Sequence, residues 1–139
     1  MSERHPPTKA YLTGIGATGL AGHLGIEVID FEDGRLTLHL SVSAPLLNPM
    51  GVVHGGAIIS LADTACGYAT LVSLPDDATS FTTIELKTNF LGAVKDGTLA
   101  CVATAVHRGR TTMVWDAEVT HLESGRRVAL FRCTNLVMR

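Results

Sequence analysis

Charge is scarce in this chain. Only 17% of its 139 residues are Asp, Glu, Lys or Arg, and the net charge is -2. Nothing in that balance would draw the chain to nucleic acid or to an anionic membrane surface. Cysteine is scarce too: Cys66, Cys101 and Cys133 are odd in number, lie in apolar stretches and form no CxxC pair. That excludes a disulfide framework and a zinc knuckle. There is no GxSxG elbow and no HExxH motif, and the opening MSERHPPTK lacks the apolar core of a secretory leader. A cytoplasmic protein is therefore expected. Low charge combined with 46% hydrophobic residues argues against disorder and for apolar surface hidden by self-association. The length suits one domain over residues 1–139, with residues 1–9 polar and loose.

What is present in quantity is one apolar run. Residues 46–74 read LLNPMGVVHGGAIISLADTACGYATLVSL. The stretch begins as a loop with Asn48, Pro49 and Gly51, and from Ala57 to Leu74 it is rich in Ala, Leu and Ile and free of Pro. The composition and length predict a helix. At about 100° per residue, Ser60, Asp63, Thr64 and Thr70 fall roughly on one side, with Gly67 between them. The other faces are apolar, so the helix must be wrapped by the rest of the chain. Asp63 would lie near mid-bilayer in a transmembrane reading, so a buried helix of a soluble protein is expected instead.

Around the helix the pattern has period two. Gly25 to Glu32 reads as a strand, Asp33-Gly34 as a hairpin signal, and Leu36, Leu38, Leu40 and Val42 as the apolar face of a second strand. Tyr11 to Gly22, with four glycines, reads as a short helix or a helix plus turn. After a break at Pro75, Ile84, Leu86, Thr88 and Phe90 mark a third strand. Thr98 to His107 forms a fourth, and Met113, Trp115, Ala117 and Val119 mark a fifth. Val128, Leu130, Thr134 and Leu136 mark the last. Gly-containing turns at Asp96-Gly97, Arg108-Gly109-Arg110 and Ser124-Gly125 predict antiparallel pairing among these four. The fold class is α+β, an antiparallel sheet curled around one central helix.

The run Asn48…Gly51…His54-Gly55-Gly56…Leu61-Ala62-Asp63, followed by IELKTNFL over residues 84–91, resembles the hotdog-fold acyl-CoA thioesterases. The nearer likeness is to the phenylacetate-pathway branch and covers Gly19 to Met138. Asn six residues before the His, and an acid nine residues after it, make the signal fairly specific. A sister branch carries Glu where this chain has Asp63. The resemblance implies hydrolysis of an acyl-CoA thioester to a carboxylate and coenzyme A. It also implies a homodimer or homotetramer with active sites at the subunit interface, with coenzyme A entering as part of the substrate and no further cofactor. Relatives often have Arg-Pro after the NFL strand. Here the residues are Gly92-Ala93, which offer no counterpart to that Arg.

Thioester hydrolysis needs donors for the developing oxyanion and a base or nucleophile. Gly55 and Gly56 open the helix, where N–H groups have no intrahelical acceptor, and without Cβ they admit a carbonyl closely. Their plainer role is a tight loop-to-helix turn. Asp63, in apolar surroundings, is expected to have a raised pKa and to act as general base on water or as nucleophile. The plainer alternative is a buried Asp bonded to nearby backbone or hydroxyls. Gly55 and Asp63 are eight residues apart, about 12 Å along a helix. If both act on one thioester, they come from different subunits.

Asn48 could orient water or the carboxylate, or simply form the turn before Pro49. His54 could bond the thioester carbonyl or hold the loop. Thr83 matches a hydroxyl position that the family uses near the attacking water, or is an ordinary strand residue. Arg108, Gly109 and Arg110 are the best candidates for the phosphates of coenzyme A, with Lys87 and Lys95 weaker, or they are a solvated hairpin turn. His39, His107 and His121 read as structural or surface residues. Metal ligation by His54 and Asp63 of one chain fails on distance, so no metal is expected. The competing functions are an acyl-thioester hydratase or dehydratase and a non-catalytic acyl-CoA-binding module.

Overall fold

The computed structural model describes residues 7–139. Lys9, expected in the loose leader, instead opens the first helix. Thr8 accepts a hydrogen bond from the Tyr11 N–H and caps helix α1 (Lys9–Ile15), and residues 1–6 lie outside the described residues. The glycine-rich stretch that follows resolves into α1 and a second short helix, α2 (Gly19–Leu24). Strands β1 (Glu27–Glu32) and β2 (Arg35–Ser41) form the expected hairpin, with Gly34 at φ 75° in the turn, a conformation that suits a residue without Cβ. The central helix α3 spans Gly55–Ser73. Then come β3 (Ser80–Phe90), β4 (Thr98–Arg108), β5 (Thr112–His121) and β6 (Arg126–Met138).

All six strands form one antiparallel sheet in the order β1-β2-β4-β5-β6-β3. One expected pairing fails. β3 is not joined to β4 as a hairpin; the chain crosses over through residues 91–97, and β3 pairs with β6 at the sheet's edge. The Asp96-Gly97 turn leads into β4, whose neighbours are β2 and β5.

Leu36, Leu38 and Leu40 of β2 and Met113, Trp115, Ala117 and Val119 of β5 face the helix and are buried, as their alternation predicts. In β6 Val128 is buried as expected, but beyond it the core face is the opposite of the one that hydropathy marks. Ala129, Phe131, Cys133, Asn135 and Val137 point inward, and Leu130 and Leu136 point out. A bulge between Thr83 and Glu85 shifts the phase of β3. Its inward residues, those opposite the buried side of β6, are Phe81, Thr83, Leu86, Thr88 and Phe90.

The chain covers only half of α3. Ala57, Ile58, Leu61, Ala62, Ala65, Cys66, Ala69 and Thr70 are buried, and the pairs between them, Ile59-Ser60, Asp63-Thr64, Gly67-Tyr68 and Leu71-Val72, are half-buried. Thr70 therefore does not share the open polar face expected for it; it is fully buried. Leu61 is the central contact of the buried half. Its replacement by Ala is expected to cost about 2–5 kcal/mol, read as a lower urea midpoint at unchanged m.

Candidate active site

The N-terminus of α3 is built by the loop before it. Asn48 Oδ1 accepts from the Met50 N–H (2.9 Å) and the Val52 N–H (3.3 Å), and the His54 N–H donates to the Leu46 carbonyl (2.8 Å). Asn48 thus has the geometry of its turn-forming role. His54 is the N-cap: its Nδ1 accepts from the Gly56 N–H at 2.8 Å, which leaves the ring proton on Nε2. His54 O takes the Ala57 and Ile58 N–H groups at 2.9 and 3.3 Å. Of the two glycine donors, Gly56 is committed, while no acceptor among the described residues takes the Gly55 N–H. The Phe90 ring packs against Gly55 so closely that a Cβ there would lie 2.9 Å from Cζ. A Cβ there would push the half-exposed Phe90 ring aside.

Two turns along, Asp63 sits on the half-buried stripe. Its Oδ1 is buried and accepts no hydrogen bond from the described residues. Burial alone pushes its carboxyl above the ordinary value, with no cation to oppose the shift. Along the helix it is about 12 Å from Gly55. The thiols offer no competing nucleophile. A hydrogen bond with Cys133, followed by burial, raises the Cys66 thiol well above its usual value, and burial pushes Cys101 up to about 12.

Thr83 donates its hydroxyl proton to Asn135 Oδ1 (2.9 Å), Asn135 Nδ2 donates to Thr70 Oγ1 (2.6 Å), and Thr70 donates to the Cys66 carbonyl (2.8 Å). Asn135 escaped the sequence reading, although its signal was visible: it is a lone amide among the small and apolar residues of β6. Arg108, Gly109 and Arg110 stand beside a cavity of about 520 Å³, also lined by Ser73, Asp77 and Arg139. Asp33 holds both terminal nitrogens of Arg108 (2.6 and 3.3 Å), and the Arg108 guanidinium keeps the Asp33 carboxyl low. Arg139, also missed, bonds Asp77 (2.6 Å) and the Arg110 carbonyl (2.8 Å). The Arg110 side chain makes no hydrogen bond among the described residues. Lys87 lies apart from this cluster, in a larger concavity on the sheet's outer face. Arg126, from the start of β6, donates to the Ala93 carbonyl at 2.5 Å. Among the described residues no group of His, Cys, Asp and Glu is arranged to hold a metal.

Comparison with known proteins agrees with this architecture. Residues 50–128 match the thioesterase superfamily. The chain is 31% identical to the 1,4-dihydroxy-2-naphthoyl-CoA hydrolase of Listeria monocytogenes, over 87% of this chain and 97% of that one. It is 36% identical to the acyl-coenzyme A thioesterase PaaI of Escherichia coli, over 78% of this chain and 75% of that one. A crystal structure of a mutant of thioesterase PA1618 from Pseudomonas aeruginosa superposes with a TM-score of 0.90 at 29% identity, over 97% and 96% of the two chains. The curled six-stranded sheet around α3 is the hotdog fold, and this chain belongs to the thioesterase superfamily as a thioester hydrolase.

Proposed function

We propose that the chain hydrolyses an acyl-CoA to a carboxylic acid and free coenzyme A, at sites shared between two copies of itself. The observation that carries this reading is the unpartnered, half-buried carboxylate of Asp63, set about 12 Å along one helix from the free N–H of Gly55. One thioester cannot sit against both from a single chain. Two further features support pairing of copies. β3 is an open sheet edge whose Ile84, Leu86 and Phe90 are 56%, 41% and 52% exposed. The half of α3 that carries Asp63 is left incompletely covered.

In the shared site the Gly55 N–H of one copy donates to the thioester carbonyl, with the positive end of the α3 dipole behind it. Asp63 of the other copy takes a proton from water as the water adds to the carbonyl carbon. The tetrahedral adduct then breaks its C–S bond, and protonated Asp63 returns the proton to the departing sulfur. The product is the free acid plus the thiol of coenzyme A. From Asp63 to Ser73, beside the arginine cavity, is about 15 Å of helix, a span matched by the extended pantetheine arm. Arg110 is the guanidinium open to the nucleotide phosphates, since Arg108 and Arg139 are each paired with an Asp.

Asp63→Asn is expected to lower kcat by roughly 10²–10⁴-fold in a free-thiol assay over an acyl-CoA panel; full turnover would remove Asp63 from the reaction. The same variant should melt higher than the parent at neutral pH. Because the folded carboxyl is raised, stability linked to Asp63 is greatest below its ordinary 3.8 and is lost as pH rises through the folded value. The gap should therefore close in acid. The acid limb of kcat/KM in the parent should likewise lie above 3.8.

Mixing inactive Asp63→Asn with inactive Gly55→Val should restore about a quarter of parental activity, since half the dimers are mixed and one of their two sites is intact. Arg110→Ala should raise KM for acyl-CoA several-fold, leaving kcat and the KM of the matching acyl-pantetheine unchanged.

A further inference from the structure

The last strand contributes something that the hydrolytic reading above does not use. Asn135 is fully buried in the apolar inner face of β6. An amide there is costly unless its groups are bonded, and the bonds it makes have a fixed direction. Thr70 has one proton and gives it to the Cys66 carbonyl, so its Oγ1 can only accept. That turns the Nδ2 of Asn135 toward Thr70 and its Oδ1 toward Thr83. The Cys133 thiol also points at Oδ1, at 3.9 Å, as a donor should. A flipped amide would take the Thr70 proton away from Cys66. Thr83 must therefore spend its own single proton on Asn135, and what remains on its oxygen is acceptor capacity.

Thr83 also lies on the face of β3 that looks toward the helix carrying the base. A Cβ on Gly67 would lie 3.6 Å from Phe81 Cζ, and Phe90 packs on Gly55, so β3 runs back along α3 in the opposite direction. Asp63 is four residues N-terminal of Gly67, about 6 Å of helix. Thr83 is two residues beyond Phe81, about 6.6 Å of strand, and it is inward-facing. Counted from the Gly67–Phe81 approach, Asp63 and Thr83 thus lie at similar distances toward the N-terminal end of α3. The bulge after Thr83 breaks the ladder at that point.

We infer that Asn135 is a positioning residue. By taking the Thr83 proton it presents Thr83 Oγ1 as an acceptor to the attacking water, which gives one hydrogen to Thr83 and the other to Asp63. This inference rests on the proposed hydrolysis with Asp63 as base.

The test is a double-mutant cycle in the full chain, with kcat and KM measured on folded protein. Asn135→Ala is expected to lower kcat about tenfold with KM held within about twofold, and to add no further loss in the Thr83→Val background. Thr70→Val, which keeps shape and removes the acceptor for Nδ2, is expected to lower kcat several-fold by the same route. It carries the test if Asn135→Ala does not fold. An unchanged kcat in folded Asn135→Ala and Thr70→Val, or losses that simply add to that of Thr83→Val, would overturn the assignment. A fully active Thr83→Val would overturn it too, while leaving Asp63 and Gly55 in place. Only a fully active Asp63→Asn would bring down the hydrolytic reading itself.

Discussion

A helix of nineteen residues that is apolar on almost every side has to be covered, and one copy of this chain covers half of it. Pairs of buried residues alternate with pairs of half-buried ones at a four-residue spacing, so the boundary between the two halves runs nearly parallel to the axis. Asp63 lies close to that boundary. A carboxylate deeper in the buried half would have no access to water, and one in full solvent would keep an ordinary pKa. Its position gives it both a raised pKa and an open side. The sheet order follows from the same constraint. β3 sits at the edge, beside the uncovered half, and its inward residues Phe81, Thr83, Leu86, Thr88 and Phe90 turn toward the helix there.

The ends of α3 have separate duties for physical reasons. At the N-terminus His54 caps one N–H, and its neighbour has no acceptor among the described residues, so the donor count of the glycine pair there is one. Near the C-terminal end, Thr70 lies in the buried half by its place in the helical period, accepts from Asn135, and returns its hydroxyl proton to the helix's own carbonyl. It forms an internal strut between helix and sheet.

Much of this was legible in the residues. The strict alternation of β2 and β5 and the long Pro-free run of α3 fixed the main elements, and the odd carboxylate pointed to the candidate site. Three things were not legible, each because it depends on contacts distant in sequence. Period-two patterning finds a strand but does not name its neighbour, so β3 was matched to β4, the next strand in sequence. In β6 Leu130 and Leu136 mask a core face made of Ala129, Phe131, Cys133, Val137 and one amide. The bulge in β3 cannot be seen in hydropathy, and it decides which residues face the helix. The commitment of Arg108 to Asp33, 75 residues away, is of the same kind.

The pairing of Thr83 with Asn135 also has a consequence for assembly. The two residues are 52 positions apart, and β6 comes after the other five strands in sequence. Until it is made, β3 has no partner in its own chain, and the side of α3 that carries Asp63 has no wall. Closing so long a loop is slow compared with forming the β1–β2 and β4–β5 hairpins. The face proposed as the active site is therefore the part that closes last, and a nascent chain exposes its apolar edge strand until β6 has been made.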